Sequence, residues 1–180
     1  MHSGSGRIPI VAVLGGAKDQ PTAINDRCSK VGQLLAQREV HLLTGGGPGV
    51  MTLVSQSFIE HRRPDSIGRT IGIIPAAVAN EPSEPKSGYP NPYIEIPIFT
   101  HLASKDGTDF NSRNHINVLT PQAIIVLDGG KGTEAEVELI RRHNREESTI
   151  SYATSKQRFS ILRWAATIDE LDEFLKQFVG

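Results

Sequence analysis

No stretch of eighteen consecutive apolar residues occurs in this chain, and its first residues lack a charged segment followed by an apolar one. Neither a membrane span nor a secretory signal is therefore expected. Net charge is also nearly absent: 19 basic and 20 acidic side chains leave −1, so there is no bulk electrostatic reason to expect nucleic acid or a membrane surface as partner. The single cysteine, Cys28, excludes an internal disulfide and fits a reducing cytoplasm. It falls on the apolar stripe of a predicted helix, which favours a buried structural thiol over a nucleophile. The six histidines show no metal-ligand spacing and nothing resembles a Cys/His zinc set, so no metal site is expected. A G-x-S-x-G elbow is missing, which argues against a serine hydrolase. There is no internal repeat and no low-complexity tract.

What is present is a run of short apolar segments alternating with helical periodicity. At 180 residues the chain is long enough to bury a core without disulfides or metal. We expect one domain over residues 7–180, preceded by a flexible leader over residues 1–6. Strands are expected at Ile8 to Leu14, Val40 to Leu43, Thr70 to Ile74, Ile94 to Phe99 and Gln122 to Leu127. Pro97 predicts an edge position or an irregular end for the fourth. Ile24, Cys28, Val31 and Leu35 recur at spacings of four, three and four, which is one face of a helix. Val50, Leu53, Val54, Ser57 and Phe58 line a second helix, with Pro48 where a first helical turn tolerates it. A third helix is expected from about Thr133 to His143. In the tail, Phe159 to Trp164 is a candidate last strand, and Thr167 to Glu170 is a capping box opening a final helix with Leu171, Phe174, Leu175 and Phe178. This alternation predicts an α/β fold with a doubly wound, mainly parallel sheet and helices on both faces. One long irregular segment, Ala76 to Tyr93, reads as a lid, a subunit contact or a mobile loop.

Two glycine-rich turns stand out. Thr44 to Met51 (TGGGPGVM) follows the second strand, and Asp128 to Glu136 (DGGKGTEAE) follows the fifth. Strand, glycine turn and helix together present backbone N–H groups and a helix N-terminus to an anion, although glycines also end strands for steric reasons. Both turns leave strand C-termini, so both should lie on the edge where doubly wound sheets bind ligands. The first turn lacks the dinucleotide pattern, since its triplet follows the second strand rather than the first. A phosphate-bearing ligand is therefore expected, held by Gly45, Gly46, Gly47 and Gly49 and by Gly129, Gly130, Gly132 and Thr133. Glu136 sits one turn into the helix, where it either reaches a ligand or merely complements the helix dipole. Glu134 and Glu138 face elsewhere. Arg113 lies in an unusually polar stretch, Asp109 to Asn117, and would clamp a phosphate or carboxylate or else form a surface ion pair. Asn111, Asn114 and Asn117 recur every three residues, as amides on one helix face or as caps and turn formers. His115 reads as structural or exposed.

With those residues in hand the chain resembles the Lonely Guy and "lysine decarboxylase-like" superfamily of Rossmann proteins, over about Ile8 to Ile140. The hallmark P-G-G-x-G-T-x-x-E maps onto Asp128 to Glu136, with Asp128 in place of proline, and G-G-G-x-G-[IVL]-M maps onto Gly45 to Met51. In the phosphoribohydrolase branch an M-x-x-R-K motif works with the hallmark glutamate; Arg113 matches its arginine, while Phe110 and Asn114 stand in place of methionine and lysine. The stretch Arg113 to Leu119, followed by Glu134 to Val137, is more similar to the molybdenum-cofactor carrier branch, in which an R-x-x-I-N-x-L segment precedes G-T-x-x-E-V. From Arg145 onward the sequence fits neither branch well, and the strand expected after the Glu136 helix is reduced to Thr149 to Tyr152.

The resemblance implies three functions. The first is a carrier for a phosphorylated heterocycle such as the molybdenum cofactor, with Arg113 adding charge and Glu136 or Asn117 bonding the ring system. The second is hydrolysis of the N-glycosidic bond of nucleoside 5′-monophosphates, with Glu136 orienting or deprotonating water at C1′ and Arg113 fixing the ligand. The third is a nucleotide sensor without turnover. It further implies no required cofactor, the molybdenum cofactor or a nucleotide being bound as cargo, and a homo-oligomer, dimer or tetramer.

Overall fold

A computed structural model describes residues 6–18, 21–81, 83–103 and 107–179. Except for Gly6, the expected leader lies outside the described residues. Seven parallel strands form one sheet: β1 (Ile10–Leu14), β2 (His41–Thr44), β3 (Thr70–Ile74), β4 (Ile96–Phe99), β5 (Ala123–Val126), β6 (Thr149–Ser151) and β7 (Arg163–Trp164), in the order β4-β3-β2-β1-β5-β6-β7. The helices are α1 (Thr22–Ala36), α2 (Val50–His61), α3 (Asn114–Leu119), α4 (Lys131–Arg142) and α5 (Ile168–Leu175).

Side-chain alternation along the central strands sorts the core into two layers. Val11, Val13, Leu42, Ile125 and Ile150 pack beneath α1, α2 and α5 through Cys28, Val54 and Leu171. Ala12, Leu14, Leu43, Ile124 and Val126 face the opposite way, toward Val118 of α3 and Val137, Leu139 and Ile140 of α4. Helices cover both faces, as the alternating apolar runs predict. Cys28 is fully buried, and burial, helped by the Asp128 charge, pushes its thiol up to about 12, so it is a core residue rather than a nucleophile.

The sheet is parallel throughout, in line with the doubly wound, mainly parallel sheet expected from the alternation. The tail departs from expectation. The last strand is confined to Arg163 and Trp164, because only these two pair with β6; Phe159 and Leu162 are buried from turns instead. The shortened strand at Thr149 is nevertheless a complete buried neighbour of β5. Pro97 does lie on an edge strand, where its missing N–H costs no central ladder bond. The capping box also forms: Thr167 Oγ1 accepts from Glu170 N, and Glu170 Oε2 accepts from Thr167 N.

Strand order reverses at β1, which has β2 on one side and β5 on the other. The loops leaving β1, β2 and β5 therefore converge, and Gly16 joins them. Its N–H donates to Asp128 O at 3.0 Å, and its carbonyl accepts from Val50 N at 2.9 Å.

Candidate functional site

The second glycine turn is the open one. Gly130 is the N-cap of α4, and among the described residues no side chain caps that helix and a Cβ on Gly130 or Gly132 would meet nothing within 4 Å. The first-turn N–H groups of a helix without a side-chain cap are available to an anion, and the helix dipole favours one there. Gly129 is different, because a Cβ there would lie 2.0 Å from Thr133 Oγ1 and 2.8 Å from Gly16 N. Thr133 folds back against it, and its buried hydroxyl has no hydrogen-bond partner among the described residues. Asp128, which replaces the family proline, accepts from Thr154 N and Thr154 Oγ1, both at 2.8 Å, and so ties this turn to the loop after β6. Arg158 donates to Gly129 O and pairs with Glu134 at 3.4 Å.

One helical turn further, Glu136 is buried on the α3 side. Asn117 Nδ2 donates to Glu136 Oε1 at 2.9 Å, while Asn117 Oδ1 is buried without a partner among the described residues. Burial raises the Glu136 carboxyl above its ordinary range, against smaller opposing pulls from the Arg113 charge and the Asn117 amide. Glu138 binds Arg141 and Arg142, so it and Glu134 belong to surface pairs, as their positions predict.

The first glycine turn is packed beneath protein. Gly46 and Gly49 have φ of +74° and +70°, which only glycine adopts at little cost. A Cβ on Gly45 would sit 2.2 Å from Arg113 Nη1, and one on Gly47 would sit 2.3 Å from Tyr89 Cζ. The N–H of Gly46 is taken by Thr44 Oγ1 at 3.0 Å, and that of Gly47 points at Met51 Sδ at 3.4 Å. The two turns, alike in sequence, thus differ in structure. One offers an uncapped helix start, and the other is a bed on which Arg113 and Tyr89 lie.

Arg113 precedes α3 and reaches across to β3, donating from Nη1 to Ile73 O at 2.9 Å, with its Cζ 5.7 Å from the Tyr89 ring centroid. It is a half-buried group held between a strand end, a glycine and an aromatic ring, not a surface ion pair. Asn111, Asn114 and Asn117 do not share one face. Asn111 N–H donates to Asp109 Oδ1 in a turn, Asn114 Nδ2 donates to Gly107 O at 3.1 Å, and Asn117 alone reaches Glu136. Phe110 is 94% exposed, away from the packed site. His115 pairs with His143 at 3.1 Å, joining α3 to α4. No group of three or more metal-ligating side chains is found among the described residues.

Sequence reasoning missed three contributors. Gly16 was visible only as part of the Gly15-Gly16 dipeptide ending β1. Tyr89 and Asn91 lie inside the long irregular segment, with no periodicity to single them out. Asn91 has a plain structural role. Its backbone N–H donates to Gly46 O at 2.7 Å and its Nδ2 to Gly47 O at 2.8 Å, fastening that segment onto the first turn.

The model of the SLOG cluster4 family matches residues 8–164. The chain belongs to the SLOG cluster4 family. This places it in the Lonely Guy-like superfamily that the two glycine motifs resemble, and the match runs well past Ile140 into the tail. Among solved structures, the molybdenum cofactor binding protein from Rippkaea orientalis is similar at 27% identity and TM-score 0.75, over 96% of this chain and 98% of that one. The Moco carrier protein from Chlamydomonas reinhardtii is similar at 25% identity and TM-score 0.72, over 96% and 98%. DNA processing protein A from Helicobacter pylori shares the fold alone, at 12% identity and TM-score 0.64, over 96% and 82%. No curated protein matches this SLOG cluster4 chain in sequence.

Proposed function

We propose that the protein binds and carries a phosphorylated heterocycle, with a pterin monophosphate such as the molybdenum cofactor as its cargo. The phosphate would sit at the start of α4, against the backbone of Gly129, Gly130 and Gly132 and the hydroxyl of Thr133. Arg113 would supply the charge, with Gly45, Gly46, Gly47 and Gly49 forming the bed that holds it in place. Asn117 and Glu136 would bond the ring system. Thr133 Oγ1 and Asn117 Oδ1 support a polar ligand here, because buried polar atoms without partners are rare and costly.

The observation that favours carriage over hydrolysis is Asn114. It occupies the position of the hydrolases' lysine, carries no charge, and is spent on Gly107 O rather than turned to the site. The cofactor-binding protein of Rippkaea orientalis, at 27% identity over nearly the full length of both chains, supports the same reading. Phosphoribohydrolysis is the second reading, favoured by the presence of both Arg113 and Glu136 near one another. A sensor of nucleotides without turnover would use the same pocket. As a carrier, the protein would work in the cytoplasm as a homo-oligomer, without nucleic acid or membrane partners.

Stoichiometric titration with the molybdenum cofactor or a pterin monophosphate, beside incubation with AMP and related monophosphates, separates these readings. Carriage predicts saturable binding at tens of micromolar or tighter and no free base. Release of free base abolished by Glu136→Gln would establish the hydrolase instead, since general acid–base participation is worth roughly 10²–10⁴-fold.

A further inference from the structure

Tyr89 lies outside both glycine motifs and outside the Arg113 to Asn117 segment, yet it belongs to the same cluster. Its ring rests on Gly47 so closely that a Cβ there would come within 2.3 Å of Cζ and 2.5 Å of both Cε1 and Oη. The Arg113 guanidinium lies over the ring at 5.7 Å. The segment carrying it is anchored rather than loose. Asn91 bonds both Gly46 O and Gly47 O, Tyr89 N–H donates to Lys86 O at 3.0 Å, and Ala76 bridges Pro85. For all this support Tyr89 remains a half-buried residue, whereas Asn91 beside it is buried.

A fixed, half-buried aromatic residue beside the cationic group proposed to meet a phosphate can act as a stacking platform for a planar ring system. We propose that Tyr89 is the specificity residue that recognises the heterocycle of the cargo by stacking, while Arg113 and the start of α4 take its phosphate; this rests on the carrier reading above. The long segment then has a defined role, which is to set one aromatic side chain against Arg113. Gly47 is glycine because Tyr89 occupies the space that its side chain would need. The class of ligand follows as well: a planar, π-faced ring carrying a phosphate, rather than a sugar phosphate alone.

The test compares 6-hydroxymethylpterin monophosphate and GMP with glycerol 3-phosphate, which has the phosphate and no ring. Binding is measured by calorimetry for the full chain and for Tyr89→Leu and Tyr89→Trp. The expected result is a loss of about tenfold or more in affinity for the ring-bearing ligands in Tyr89→Leu, retained affinity in Tyr89→Trp, and unchanged binding of glycerol 3-phosphate in both. An equal loss for all three ligands would reduce Tyr89 to a support for Arg113 and overturn the proposal, as would an unchanged affinity for the ring-bearing pair. If the unaltered protein binds neither ring-bearing ligand, the carrier reading itself fails. That outcome is distinct from a failure confined to the Tyr89 variants.

Discussion

Glu136 is held in a setting that works against its charge. Burial dominates, Arg113 and Asn117 offset it in part, and the carboxyl stays above its ordinary range. The folded chain therefore binds this proton more readily than the unfolded chain does. The stability contributed by the neutral form is fully present below the ordinary carboxylate range and declines as pH rises through the folded value. Glu136→Gln is expected to be more stable than the unaltered protein at neutral pH, with the difference shrinking as pH falls toward 4.5. A gain of about 1 kcal/mol would raise Tm by roughly 2–4 °C at this chain length, which calorimetry at two pH values reads directly. An equal or lower Tm at neutral pH would show that the Arg113 charge, not burial, governs the carboxyl. Motif spacing singled out Arg113 and Glu136 in the sequence, and the fold brings them near enough for the Arg113 charge to act on the carboxyl. Tyr89 and Asn91 were not legible there, because a long loop without periodicity places its side chains through tertiary contacts alone.

Among elements, the α1–α2 crossing leaves no room for a side chain at Gly32. A Cβ on Gly32 would lie 2.7 Å from Val54 O and 2.9 Å from Phe58 N, which are backbone atoms that cannot rotate away. Gly32→Ala should cost about 1–3 kcal/mol by overpacking, read as a lower urea midpoint at unchanged slope. Stability equal to that of the parent would mean that the two helices separate easily. At the other end of the chain, Thr167→Ala removes the acceptor of a formed capping box and should cost about 0.5–2 kcal/mol. The same measurement checks it, and no change would show that α5 is held by its packing alone. That box was readable from four residues because capping chemistry is local. The extent of β7 was not, since Phe159 and Leu162 are as apolar as strand residues and only the pairing with β6 shows where the strand begins.

Across the whole molecule, strand order explains why two motifs far apart in sequence meet at one edge of the sheet. Placing β1 between β2 and β5 brings their carboxyl ends together, and Gly16 bonds to both turns. The alternation of apolar runs made the fold class legible, and the motifs marked the sheet edge at which both glycine turns lie. What the sequence could not reveal is that one glycine turn is covered by Tyr89 and Arg113 while the other stays open. That distinction depends on how Ala76 to Tyr93 folds back. Cargo present at about a hundred times its Kd should stabilise the fold by about 2.7 kcal/mol, so binding and stability report on the same site. The decisive measurement is a single experiment in which the purified protein is titrated with a pterin monophosphate and then assayed for ligand breakdown. Carriage predicts saturable one-to-one binding, weakened by Arg113→Ala, with the ligand recovered intact. Absence of binding, or recovery of a cleaved product, would contradict it.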